Sequence, residues 1–204
     1  MKNATVLSLS FLCAGAVFAQ GQPASRSLVP ALRIHYVTVE TVTEVNGDVK
    51  TTTREKIVTV TRGSRQRSEF LDQDHRVERI ILSDASTGET TELDPHTRKA
   101  HRKYVDMDAP AAEGTGRGRP RASGRPMSPL PERTIQGMTC HGHGNDEIEI
   151  WECTEPVTGT AVTGLMITHY PFGTITESLD RIEQVEVDPD QIFEVPAGFV
   201  ISAE

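Results

Sequence analysis

His141-Gly142-His143 is the stretch whose residue types and spacing invite metal chemistry. Alternate residues of a β-strand share a face, so two imidazoles two positions apart can converge on one ion. A tight hairpin turn at Gly144-Asn145 would set Asp146 opposite His143 as a third ligand, but Cys140 would then point to the other face. The spacing supplies no dependable third and fourth ligand, so the reading is of no metal and no cofactor. Nearby, Asp146, Glu147, Glu149 and Glu152 could furnish paired acid–base carboxylates. Such pairs need a defined cleft, and Glu147 with Glu149 on one strand face is the pattern of an alternating solvated strand. The chain has no nucleophile elbow, phosphate loop, dinucleotide fingerprint or HExxH helix. The expectation is a protein that binds and does not catalyse, with no catalytic residue assigned.

Cys140 and Cys153 are the cysteines left once an export signal is removed, and in an oxidising compartment a disulfide is the simple reading. With the turn at Gly144-Asn145, however, Cys140 faces Glu149 and Cys153 lies four residues further on. That offset is about 13 Å, beyond the Cα separation of about 7 Å that a bridge allows. Bridge and tight turn at 144–145 are incompatible, and the bridge calls for a wide loop at about 143–150. Trp151, the single tryptophan, is expected in the core or on a sheet face. His35, His96, His101 and His169 add no motif.

The elements that would hold these residues are strands. Residues 34–45 and 49–60 flank Asn46-Gly47-Asp48, a strong hairpin signal. A three-residue loop over 46–48 opposes Val45 to Val49, Val37 to Ile57, Glu44 to Lys50, Glu40 to Arg54 and Tyr36 to Val58, and this register is preferred over a loop of 46–47 that sets valines against charges. Residues 65–71, 76–83, 89–93 and 98–105 continue as a meander across Asp72-Gln73-Asp74-His75, the 84–88 turn and the 94–97 turn. Residues 160–170 and 174–187 form a hairpin about Pro171-Phe172-Gly173, with a bulge between Leu179 and Ile182. Asp188-Pro189-Asp190 caps a short helical turn, after which Phe193 and Val195 plug the core and Phe199 and Ile201 form a closing strand.

Residues 1–19, with Lys2, an apolar run from Val6 to Phe18 and Val17-Phe18-Ala19, have the form of a cleavable export signal. The residues before Cys13 do not form a lipidation motif, and no stretch is long enough to span a bilayer as a helix. Removal leaves 185 residues and moves the formal charge from −8 to −9. That length suits one domain, and the acidity argues against general affinity for nucleic acid or anionic lipid. With 5% aromatic residues and a mean hydropathy of −0.36, the core must be modest. The expected organisation is a flexible 20–32 and one β-domain over 33–204, interrupted by a disordered loop at 106–133. That loop has five Pro, four Gly and five Arg. Within it Arg117-Gly118-Arg119-Pro120-Arg121 resembles the core of an AT-hook, but beside an export signal the reading is of no nucleic-acid partner.

The series Leu179, Ile182, Glu186, Asp188-Pro189-Asp190, Phe193, Val195-Pro196-Ala197, Phe199, Ile201, with Leu93-Asp94-Pro95, Arg98, Ala100, Glu149 and Trp151 upstream, resembles the C-terminal signature of an uncharacterised family of secreted bacterial β-proteins. The resemblance implies fold and compartment and carries no activity. The expected fold is therefore all-β, mainly antiparallel: a single curved sheet or open half-barrel with a short helical turn near the C-terminus, loosely similar to periplasmic lipoprotein-carrier half-barrels. From that analogy follows an exported, periplasmic or secreted binding protein that holds an apolar or lipid-like ligand, or covers an envelope protein, on a concave face. The expected lining is Val37, Val39, Ile57, Trp151, Met166 and Tyr170. The alternatives are a structural or interaction module without a small-molecule site, and a metal-dependent or hydrolytic enzyme.

Overall fold

The computed structural model describes residues 27–104 and 125–203. The segment expected to be an export signal, 1–19, and most of the expected loop at 106–133 lie outside these residues. The strands are β1 (Val29–Thr43), β2 (Val49–Thr61), β3 (Arg65–Leu71), β4 (Val77–Asp84), β5 (Glu89–Asp94), β6 (Lys99–Tyr104), β7 (Ser128–Ile135), β8 (Met138–Gly144), β9 (Ile148–Thr154), β10 (Ala161–Tyr170), β11 (Gly173–Val187) and β12 (Val200–Ala203), with one helical turn α1 (Pro189–Ile192) before β12. They make one open sheet in the order β12-β6-β5-β4-β3-β2-β1-β11-β10-β9-β8-β7. Every pairing is antiparallel except β12 on β6. The all-β, unclosed architecture expected from the short, evenly spaced strands is the one found.

Turn chemistry fixes the meander. Asp72, Asp84 and Asp94 close the three hairpins of β3–β6, each carboxylate accepting a backbone N–H two residues on, from Asp74, Ser86 and His96. The β1–β2 hairpin differs from expectation: Thr43 opposes Val49, Thr38 opposes Arg54 and Tyr36 opposes Lys56. Its loop is Val45-Asn46-Gly47, closed by Glu44 N–H to Asp48 O at 2.8 Å, and Gly47 takes the left-handed φ of 88° that ends such a loop. Glu40–Arg54 and Glu44–Lys50 are therefore not cross-strand pairs. The bulge between Leu179 and Ile182 is present, opposite His35 and Tyr36. Two limits also move. β1 starts at Val29, inside the segment expected to be flexible, and β7 starts at Ser128, inside the expected loop. Its prolines, Pro129 and Pro131, sit on an edge strand, where a missing N–H is tolerated.

Two clusters fill the interior. Leu32, Ile34, Tyr36, Val58 and Leu179 pack with Trp151, Val162, Cys140 and Cys153. β10 pairs with β11 only from Leu165 to Tyr170, so its first half leaves the ladder and curls with β7–β9 over β1, β2 and β11. The second cluster, Ile80, Leu82, Leu93 and Ala100, lies on the opposite face of β4–β6 and is covered by Val195 and Phe199. Phe199, and not Phe193, is the aromatic plug. The N-cap Asp188 accepts the Asp190 N–H, as the Asp-Pro-Asp sequence requires.

Candidate functional site

One face of β1–β5 and β11 is covered by the β7–β10 curl at Leu179 and Tyr36 and is open beyond them. Leu179, Tyr36, Lys56, Phe70 and Arg79 stand side by side across five strands. Aromatic and cationic side chains alternate along that row. Lys56 Nζ lies 4.5 Å from the Tyr36 ring centroid, and the Arg79 guanidinium lies 4.1 Å from that of Phe70. Lys56 also meets Glu177 at 2.5 Å and Arg79 meets Glu92 at 3.5 Å. Burial, with the Glu177 carboxylate nearby, pushes the Tyr36 phenol well above its ordinary range, so it stays neutral.

Beyond this row the face widens into a groove of about 600 Å³, with Thr38, Glu40 and Thr52 at one end and Glu78, Asp94 and His96 at the other. Six carboxylates and three Lys or Arg side chains line it, with Ile175, Phe70 and Leu93 among them. Neither Glu40 nor Glu78 has a cationic partner among the described residues. The groove is thus acidic and polar, with isolated apolar contacts.

Of the six residues expected to line a ligand face, Val37, Val39 and Ile57 share one face of β1–β2. Trp151 instead packs in the core with Leu32, Ile34 and Tyr36, which stand on the other face of β1. Met166 pairs with Glu177 and stands on the face opposite Val37, with Tyr170 two alternations further along the strand. No single surface presents all six. Trp151 is 1% exposed, its indole N–H donating to Pro131 O at 2.9 Å and its ring under the Arg133 guanidinium. It is a core residue. What sequence reasoning missed is the Tyr36–Lys56–Phe70–Arg79 row: its signal lay in the β1–β2 register, and the assumed loop set Tyr36 opposite Val58.

Cys140 and Cys153 are bridged and directly opposite each other, Cα to Cα 4.2 Å. The turn between them is tight but centred on Asp146-Glu147, with Asn145 N–H donating to Ile148 O at 2.8 Å. The turn at 144–145 is thereby corrected, and the bridge needs no wide loop. Asp146 and Glu147 belong to the turn, so Asp146 does not face His143; it pairs with Arg125. His141 is exposed and meets Glu132 at 2.9 Å, while His143 faces Ile150. Among the described residues no group of three or more His, Cys, Asp or Glu is placed to hold a metal ion.

No protein-family model and no curated protein matches the sequence. Among solved structures the chain is similar to an uncharacterised conserved protein from Thermus thermophilus, with a TM-score of 0.54 at 9% identity over 86% of this chain and 91% of that one. A DUF1329 family protein from Desulfovibrio piger gives 0.43 at 10% identity over 80% and 89%, and a LolA superfamily protein from Nitrosomonas europaea gives 0.41 at 12% identity over 80% and 90%. The Thermus likeness is one of fold. No helix of the described residues is long and apolar enough to cross a membrane.

Proposed function

We propose that this is an exported, non-enzymatic binding protein of the bacterial envelope, and that the partner of its open sheet face is a polypeptide. The observation that carries the reading is the chemistry of the groove: about 600 Å³ in volume, open, and lined by more carboxylates than cations. An acyl chain laid there would strip water from Glu40, Glu78 and Arg54 without replacing its hydrogen bonds. A polypeptide supplies N–H donors for the two carboxylates and carbonyl acceptors for Arg54. An apolar pocket beside Ala31, Leu32, Val60 and Val185 holds only 150 Å³. That is below the ~300–1,000 Å³ usual for ligand pockets.

Native mass spectrometry of the protein purified from the envelope fraction tests this. A polypeptide adduct released on denaturation, with a chain mass beginning at Gln20, is the expected result. A co-purified lipid would instead favour the carrier, and a chain mass beginning at Met1 would overturn export.

A further inference from the structure

The β1–β2 and β10–β11 hairpins end side by side, joined by Thr43 N–H donating to Phe172 O at 2.7 Å. Five of the large exposed hydrophobic side chains of the described residues stand on these two tips: Val42, Val45, Val49, Tyr170 and Phe172. Phe172 is 73% exposed and Val49 64%, while Val45 projects fully from a loop whose other residues, Asn46 and Gly47, are ordinary turn formers. Neither core cluster includes any of them. Apolar side chains gathered on protruding turns without a packing role mark a contact surface.

The patch runs into the groove. Val42 opposes Gly173 and Lys50, and two residues back along the same face Glu40 opposes Ile175 and Thr52, all three of which line the groove. Apolar anchors rimmed by Glu40, Glu44 and Asp48 therefore open directly onto an acidic channel. We propose that the occupant is a basic, extended polypeptide segment whose apolar residues seat on the Val45–Phe172 tip and whose Lys or Arg side chains enter the groove towards Glu40 and Glu78. The proposal rests on the polypeptide-binding reading and adds the entry point, the charge and the apolar anchor. Apolar contacts at the tip supply affinity, and the uncompensated carboxylates select a cationic partner over an acidic one.

The probes are fluorescein-labelled peptides of about ten residues, alternating Leu/Lys, Leu/Glu and Ser/Lys, titrated against the protein by fluorescence anisotropy. The Leu/Lys peptide is expected to bind at least about tenfold tighter than either other peptide. The double variants Val45→Ser/Phe172→Ser and Glu40→Gln/Glu78→Gln should each weaken it about tenfold or more, with unchanged near-UV circular dichroism showing the fold intact. If no peptide binds, the polypeptide-binding reading itself falls. If Leu/Lys binding is weakened by the groove variant but not by the tip variant, that reading stands and the docking tip is wrong. Equal binding of Leu/Glu would overturn the charge selection. Binding to phosphatidylcholine vesicles, or self-association, that is abolished by Val45→Ser/Phe172→Ser would overturn the proposal by giving the tip to a bilayer or to a second copy.

Discussion

Gly142 and Trp151 face each other across β8 and β9, and the indole fills the space a side chain at 142 would need: a β-carbon there would stand 2.5 Å from Trp151 Nε1 and 2.8 Å from Leu130 Cβ. The glycine between His141 and His143 is thus the seat of the tryptophan, which gives His141-Gly142-His143 a packing explanation. The indole has nowhere to go, since Pro131 O holds its N–H and Arg133 covers its ring. Gly142→Ala should destabilise the protein by about 1–3 kcal/mol through overpacking. Urea unfolding followed by emission of the single tryptophan reads this, and a change below about 0.5 kcal/mol would contradict the packing.

Lys56 and Glu177 come from strands far apart in sequence and meet at 2.5 Å with only 18% and 13% of their side chains exposed. Removing one partner leaves a half-buried charge. Lys56→Met and Glu177→Met should each cost about 1.5–3 kcal/mol, the range for charged hydrogen bonds. The double variant Lys56→Met/Glu177→Met should cost less than the sum, because neither charge is stranded. Strict additivity in a double-mutant cycle would show that the two do not interact.

The Cys140–Cys153 bridge closes a loop between residues 13 apart. Its loss in Cys140→Ala/Cys153→Ala should lower stability by about 2–4 kcal/mol. Mass analysis of the denatured, unreduced protein should find it two hydrogens lighter than the reduced chain. Equal masses would mean free thiols.

Stability should fall with acid for a nameable reason. Burial alone would raise the Glu155 pKa, but hydrogen bonds from the Thr158 hydroxyl, the Thr158 and Val157 N–H groups and Gln184 outweigh it and hold the carboxyl below its ordinary 4.5. A group depressed in the folded state contributes fully above its unfolded pKa, and the contribution is lost as pH falls through the folded one. The turn carboxylates Asp72, Asp84 and Asp94 are shifted the same way; at Asp84 the Ser64 and Ser86 hydrogen bonds are the main cause. Glu155→Gln should therefore lower stability at pH 7 and flatten its decline below pH 4.5, measured by urea midpoints across pH. An unchanged slope would mean the carboxyl is unperturbed.

His35 moves the other way in charge. Burial, together with Arg181 and Arg33, holds its pKa below 6.5, so the unfolded chain binds the proton more readily and stability rises with pH through that window. An NMR titration should show His35 losing its proton below pH 6.5; a midpoint at or above 6.5 would refute the placement.

Much of this fold was legible in the sequence because its elements are set locally. Alternation, the turn aspartates, Pro171-Phe172 and the Asp188 cap act within a few residues, and the strands and α1 lie close to where those signals put them. Register was not legible. Moving the β1–β2 loop from 46–48 to 45–47 exchanges Val58 for Lys56 opposite Tyr36, and cross-strand preferences of about 0.2–1 kcal/mol do not decide between neighbouring loops. Moving the β8–β9 turn to Asp146-Glu147 likewise made the disulfide compatible with a tight hairpin. Only the tertiary structure decided which faces are open. The curl of β7–β10 buries Trp151, and the segment after α1 covers Leu93 and Ala100. What remains uncovered is a charged groove leading to an apolar tip, because the β7–β10 curl covers that face of β1, β2 and β11 only at the Leu32–Tyr36 end and leaves Thr38, Glu40 and the strands beyond them open.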